Sequence, residues 1–197
     1  MDNFGDPGWF HHQQIAQLWG LVALRLASSP IVEFNATRYT SELTKYLKSL
    51  DTLAKDRLGG DSESIKKVIN LDPLGNAIAN LTKYAKELDD RANELRNNPK
   101  SRKCYFNMFC VCHSRRTEIE QVNEAYLKFE RSFIGNGLPG RPVYRHVIYA
   151  PGTWEGYAGF TFPSIREAIA DQKWEEAHEQ IDIVAKLVQK AASRKHF

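Results

Sequence analysis

Apolar residues recur at three- and four-residue spacings in segment after segment of this chain, and each segment carries a single apolar stripe. A helix with one apolar stripe must bury it against other elements, so the pattern commits the chain to helices packed on helices. Between Phe10 and Ser28, the residues Ile15, Leu18, Trp19, Val22 and Leu26 share one helical face. Ser28-Ser29-Pro30 closes that segment, because the residue before a proline avoids helical angles. A second helix follows Asn35, a good N-cap, with Tyr39, Leu43, Tyr46, Leu47, Leu50 and Leu53 in phase and Gly59-Gly60 as the stop. Ser62 to Ile69 reads as a short helical turn. Asp72-Pro73 is a start signal for a third long face, made by Leu74, Ile78, Leu81, Ala85, Leu88 and Leu95. The period returns near Arg116, with Ile119, Val122, Tyr126, Phe129 and Phe133 on one stripe. Pro163 opens a short helix through Ala170, and Trp174, Ala177, Ile181, Val184, Val188 and Ala191 mark the last one. The expected fold is all-α: a bundle of four to five amphipathic helices, with one long ordered loop before the last helix pair.

Composition narrows the function classes. At about 150 residues per domain, 197 residues make a single domain over 1–197. The net charge of +3 and the short, scattered basic clusters argue against nucleic acid as a partner. No apolar run reaches the roughly 18 residues a membrane span needs, so no direct membrane insertion is expected. The start, Met1-Asp2-Asn3-Phe4-Gly5-Asp6-Pro7, is acidic and turn-like and does not read as a signal peptide.

Sites of chemistry are scarce. Glu175, His178, Glu179 and Asp182 share one helix, but a di-iron bundle needs such pairs on two helices and glutamates on two more, so a solvated face is the better reading. His11 and His12 are adjacent and point to different sides of a helix. Cys104, Cys110, Cys112 and His113 place four soft ligands within ten residues, at a spacing that is not that of a zinc site. No nucleophile elbow, Walker loop or dinucleotide fingerprint occurs. The catalytic and metal assignments for this chain are therefore none, and no cofactor is expected in it. Two sequons are present, Asn35-Ala36-Thr37 and Asn80-Leu81-Thr82.

The string Arg141-Pro142-Val143-Tyr144-Arg145-His146-Val147-Ile148-Tyr149-Ala150-Pro151, followed by Tyr157-Ala158-Gly159 and Phe162-Pro163, carries a family resemblance. It resembles the transferrin-receptor-like dimerisation domain, the helical C-terminal region of glutamate carboxypeptidase II and related zinc peptidases. Phe129 to Ile134 and Gly137-Leu138-Pro139 are similar to the family's lead-in. Phe4 to Pro7 and Ala16 to Gly20 are similar to its junction with the peptidase domain, so residues 1–9 are expected to be a remnant of that junction. Residues 99–114 depart from the family, which has a short turn there. They read as a cysteine-containing insertion, either genuine or translated intron, and as the least ordered internal segment.

The resemblance implies that the parent protein carries an upstream peptidase domain with two zinc ions, and that this chain alone is not catalytic. It implies homodimerisation through the bundle and a loop that lines the substrate pocket. Glutamate-specific members grip the substrate's terminal glutamate with a Lys-Tyr pair in that loop. The matching positions here are Gly156 and Tyr157, so the tyrosine is kept and the cation is lost. The family motif residues are Arg141, Pro142, Tyr144, Arg145, His146, Tyr149 and Pro151. Asn80 falls at an expected glycosylation position, with Asn35 as a second sequon. The parent family is membrane-anchored with a lumenal or extracellular ectodomain. A reading of another class, a free-standing helical interaction module, uses the same bundle without a peptidase domain.

Overall fold

The computed structural model describes residues 5–59, 62–97, 109–153 and 159–193. Seven α-helices and one two-stranded sheet are formed among them: α1 (Phe10–Ser28), α2 (Ala36–Leu58), α3 (Ser62–Val68), α4 (Asp72–Asn97), α5 (Phe109–Arg131), β1 (Tyr149–Pro151), β2 (Gly159–Thr161), α6 (Pro163–Ala170) and α7 (Trp174–Ala192). The mainly helical architecture matches the periodicity of the sequence. The chain divides into two compact units, residues 1–34 and residues 35–197.

The larger unit is built around α4. This helix packs against α7 and α2 most extensively and against α5 as well, and α6 packs on α7 and α2. Its stripe of Leu74, Ile78, Leu81, Ala85, Leu88, Ala92 and Leu95 is buried, and Ala77 and Tyr84 widen the buried face. Truncating a fully buried leucine of this kind, such as Leu81, costs about 2–5 kcal/mol. α7 answers with Ala177, Ile181, Val184, Ala185, Val188 and Ala191.

The first turn of α2 shows how the helices are locked together. A helix leaves its first four N–H groups without partners in its own ladder. Here the amides of Ala36, Thr37 and Arg38 each find a partner outside that ladder. The side chain of Asn35 accepts from the Arg38 amide at 2.6 Å, and the ladder itself starts with the Tyr39 amide on the Asn35 carbonyl at 3.2 Å. The other two amides come from Ala36 and Thr37, and they donate to the Asp89 carboxylate of α4 at 3.1 and 2.8 Å. The Tyr126 hydroxyl of α5 donates to the same carboxylate at 2.8 Å. Burial, and then this bond to Asp89, push the Tyr126 phenol well above its ordinary range, so it stays a neutral donor. Asp89 thus caps one helix, sits in a second and anchors a third.

The smaller unit holds α1, whose start is fixed locally. Gly8 (φ 72°) and Trp9 (φ 60°) turn the chain through left-handed conformations. Buried Asp6 then accepts the His11 and His12 amides at 3.0 and 2.8 Å, and its carboxylate lies 2.5 Å from His12 Nδ1. No residue of α1 is buried. The sequence pattern predicts α1 as an amphipathic helix; the helix forms within this unit, and its residues are exposed.

One boundary differs from the pattern. α5 begins at Phe109, seven residues before Arg116, so 109–114 of the expected insertion continue into a helix. Its helical stripe is not legible there because Cys110, Cys112 and His113 interrupt the apolar spacing. Cys104 and the rest of the 98–108 stretch lie outside the described residues. Val143 to Tyr149, rich in β-branched and aromatic residues, bridges to Ile134 at His146, and Tyr149, Ala150 and Pro151 pair with Thr161, Phe160 and Gly159.

Two measurements check this account. Asp89→Ala strands two helix-terminal amides and a buried hydroxyl, and is expected to cost about 3–5 kcal/mol in urea unfolding, against about 1.5–3 kcal/mol for Tyr126→Phe. Desolvation acts to raise the Asp6 carboxyl, but the bonds from His11 and His12 outweigh it and hold the group at about 2, below its ordinary 3.8. A depressed folded value means that the stabilisation is complete above the unfolded value and is lost as pH falls from about 4 towards 2. A carboxyl-carbon NMR titration is expected to place the Asp6 midpoint near 2; a midpoint near 4 would remove this cap from the account of α1.

Candidate functional site: the braced loop of residues 134–162

The family-motif residues come together in the structure as the brace of one loop. The Arg141 guanidinium donates to the Pro151 carbonyl at 2.6 Å through Nη1 and to both Glu167 carboxylate oxygens at 2.7 and 2.5 Å through Nη2. Oε1 of Glu167 also accepts the Thr153 amide at 3.1 Å. The pair is about four-fifths shielded from water, so it is far less screened than a surface ion pair. Arg141 also lies 5.8 Å from the ring centre of Tyr144. One side chain therefore ties the start of the loop, the end of β1 and helix α6 together.

Arg145 and Tyr144 close the inner turn. The Arg145 Nε donates to the Gly135 carbonyl at 3.0 Å, and the Gly135 amide returns a bond to the Arg145 carbonyl at 2.7 Å. The Leu138 amide donates to the Tyr144 carbonyl at 3.0 Å. Pro142 presses on Gly137, which has φ 119°; a Cβ there would sit 2.7 Å from Pro142 backbone atoms, so only glycine fits. Gly137 of the Gly137-Leu138-Pro139 lead-in is thus a steric requirement of the motif.

His146 and Tyr149 connect the loop to the bundle. The Nδ1 of His146 accepts the Ile148 and Tyr149 amides at 3.3 and 3.2 Å, which assigns the proton to Nε2, and Nε2 donates to Glu130 at 3.0 Å. The imidazole stacks on Tyr149, with ring centres 5.7 Å apart. Tyr149 stands edge-on to Tyr39 and Tyr46 of α2, and its hydroxyl is 3.2 Å from that of Tyr46. Tyr39 stacks on Phe133 and meets Phe129 edge-on. Burial pushes the Tyr39 and Tyr149 phenols up, so both stay neutral across the physiological range.

The far end of the loop carries strain. Phe162 is fully buried, yet it holds φ 47°, a left-handed conformation rare for a bulky residue. Such a backbone costs on the order of 1–3 kcal/mol, held here by the buried ring and by its amide bond to Ile148 at 2.9 Å. Arg166, one turn on, donates to Ser49 of α2 at 2.7 Å and lies 5.8 Å from the Phe160 ring centre.

The positions singled out for substrate contact, Gly156 and Tyr157, lie outside the described residues. Their flanks are described: Pro151 and Thr153 on one side and Gly159 on the other, all on braced or paired backbone. Asn80 is exposed on α4 and its Nδ2 donates to Gln189 at 2.9 Å. Asn35 is exposed and works as the α2 cap. His178 donates from Nε2 to the Val68 carbonyl at 2.7 Å, which ties α7 to α3. Among the described residues no group of three or more His, Cys, Asp or Glu is placed to hold a metal ion. The resemblance assigns its two zinc ions to the peptidase domain and not to these residues. A cleft of about 290 Å³ lies between α2, α3 and α4, floored by Leu47, Ala54, Ile65 and Ile69. No motif residue lines it. Glu167 is the residue that sequence reasoning missed: nothing in its spacing marks it as the partner of Arg141.

Residues 69–194 match the family model of the transferrin receptor-like dimerisation domain. A probable glutamate carboxypeptidase of Arabidopsis thaliana is 30% identical over 98% of this chain, which covers 25% of that relative. A probable glutamate carboxypeptidase of Arthroderma benhamiae is 31% identical over 98% of the chain and 24% of its own length. An inactive zinc metalloprotease of Schizosaccharomyces pombe is 26% identical over 100% of the chain and 23% of its own length. The chain thus spans about a quarter of the length of these curated relatives.

The brace has a direct test. In a double-mutant cycle of Arg141→Ala and Glu167→Ala, thermal unfolding is expected to show a coupling of about 1–3 kcal/mol. Additive effects would mean that the two side chains stabilise the loop independently.

Proposed function

Because the chain belongs to the transferrin receptor-like dimerisation domain family, we propose that it is the C-terminal helical domain of a glutamate-carboxypeptidase-like protein. In this reading it mediates homodimerisation, and its braced loop lines the substrate pocket of a zinc-peptidase domain elsewhere in the parent. The observation that carries the pocket role is the three-point hold of Arg141 on Pro151 and Glu167. It fixes one flank of the segment that bears Gly156 and Tyr157, while the pairing of Gly159 with Pro151 fixes the other. A pocket wall needs this kind of support, because a displacement of about 1 Å at a contact residue costs catalysis heavily.

The chemistry of the segment bears on specificity. Tyr157 offers a hydroxyl donor and an aromatic face. Gly156 offers no cation, so the preference for a terminal glutamate carboxylate is expected to be weak. The chain itself supplies shape and positioning, and the hydrolytic step belongs to the peptidase domain. The exposed Asn80 and Asn35 support a glycosylated, lumenal or extracellular parent, anchored outside this chain; among the described residues no helix is long and apolar enough to cross a membrane.

The test uses the full-length protein that contains this chain, made through the secretory pathway. Sedimentation is expected to give a dimer, and glycosidase treatment is expected to remove mass at Asn80. Tyr157→Phe is expected to raise KM for peptides with a free terminal carboxylate about tenfold, about 1.4 kcal/mol, with kcat little changed. A monomeric protein with peptidase kinetics indifferent to Tyr157 would overturn the reading in favour of an interaction module.

A further inference from the structure

Arg166 is a cation that the brace does not use. It follows the start of α6 by one turn and stands beside Glu167, but both Glu167 oxygens are held by Arg141, and one of them also takes the Thr153 amide. Arg25, Arg91, Arg116 and Arg141 each pair with a carboxylate. Among the described residues no carboxylate pairs with Arg166; its recorded partners are a hydroxyl and an aromatic ring. Its Nε is buried and meets no acceptor. A buried donor without an acceptor is costly, and native proteins keep few of them.

The guanidinium is nevertheless held in place from two sides. Nη2 donates to the Ser49 hydroxyl of α2 at 2.7 Å, and the guanidinium carbon lies 5.8 Å from the ring centre of Phe160 in β2. That ring is fixed in turn. It lies on the backbone of buried Gly152, where a Cβ would sit 2.6 and 2.8 Å from two of its carbons, so the position admits only glycine. A planar fork with fixed orientation and no counter-charge matches the geometry of a carboxylate.

Ser49 adds an independent observation. A hydroxyl inside a helix can bond back to a carbonyl of the preceding turn. Thr40, Ser41, Thr44 and Thr52 of α2 all do so. Ser49 instead accepts from Arg166, and its own proton has no acceptor among the described residues. A hydroxyl that accepts one bond keeps one to donate. Ser49 and Arg166 therefore present unspent donors side by side, on two helices. Phe160, which orients Arg166, belongs to the return strand of the braced loop and follows Gly156 by four residues.

We propose that Arg166, with Ser49, is a specificity-determining pair of the parent enzyme: it receives the side-chain carboxylate of an acidic C-terminal residue in the peptide substrate. The inference rests on the function proposed above and deepens it. Gly156 leaves the loop without a cation of its own, and α6 supplies one from the bundle, on a rigid element rather than on the loop. The carboxylate accepts from the guanidinium and from the Ser49 hydroxyl. The amide of a C-terminal glutamine has the same shape but no charge and a single acceptor oxygen, so it gains less from the pair.

The test compares kcat/KM of the full-length protein for two peptides that differ only in a C-terminal glutamate or glutamine. The ratio is expected to favour glutamate about tenfold, to fall to about one in Arg166→Gln and to be partly kept in Arg166→Lys. Ser49→Ala is expected to lower it about twofold, through KM rather than kcat. A link between α2 and α6 that only supports the fold would slow both peptides alike and leave the ratio in place, so an unchanged ratio in Arg166→Gln overturns the proposal. A wild-type ratio of about one overturns it as well. So does an unchanged ratio together with strong coupling between Glu155→Gln and Arg166→Gln in thermal unfolding, since the carboxylate would then be the chain's own. A full-length protein that cleaves neither peptide takes the function proposed above down with it; cleavage of both, indifferent to Arg166, removes this inference alone.

Discussion

The Asp89 carboxylate is the interaction on which the bundle depends. One charged group inside a helix interface is a liability unless every lone pair has a donor. Three donors meet Asp89: two amides from the first turn of α2 and a hydroxyl from α5. The two amides also carry the positive end of the α2 dipole, so the charge and the helix stabilise each other. Apolar stripes alone would let α2 slide or rotate along α4. The carboxylate sets the level at which the first turn of α2 meets the middle of α4, and Tyr126 sets α5 to the same level.

That register has consequences further along. Phe129 and Phe133 follow Tyr126 by one and two turns, and they carry the aromatic group that receives Tyr39, Tyr149 and His146. The loop is thus held at one end by aromatic packing on α2 and α5, and at the other by Arg141 and Glu167 against α6. Polar bonds provide direction and aromatic packing provides area; neither is enough for a loop this long. The left-handed Phe162 belongs to the same design: it reverses the chain between β2 and α6, and its buried ring offsets the strain.

How much of this was legible in the sequence follows from what each signal measures. Period and caps report local preference, and they located α2, α4, α6 and α7 nearly to the residue: Asn35, Gly59, Asp72-Pro73 and Pro163 each stand where a helix begins or ends. The start of α5 was not legible because its first turns lack an apolar stripe. Asp89 was not legible because an aspartate between Leu88 and Ala92 looks like the polar side of a helix, and only tertiary packing shows that the position is inside. The motif residues are recognisable as a group, but their partners Glu130 and Glu167 are fixed by long-range geometry. The stripe of α1 was read correctly as apolar. Periodicity says that a face must be covered; it does not say by what.

The cap on α2 bears on that last point. The amides of Ala36, Thr37 and Arg38 are taken by Asp89 and Asn35. Both capping residues belong to the larger unit, whose boundary falls at Asn35 itself. α1 is closed in the same manner, by Asp6 six residues before His12. Each unit thus terminates its own helix with its own carboxylate. A helix whose first-turn amides are met by a carboxylate of its own unit keeps that end formed whatever packs along its sides.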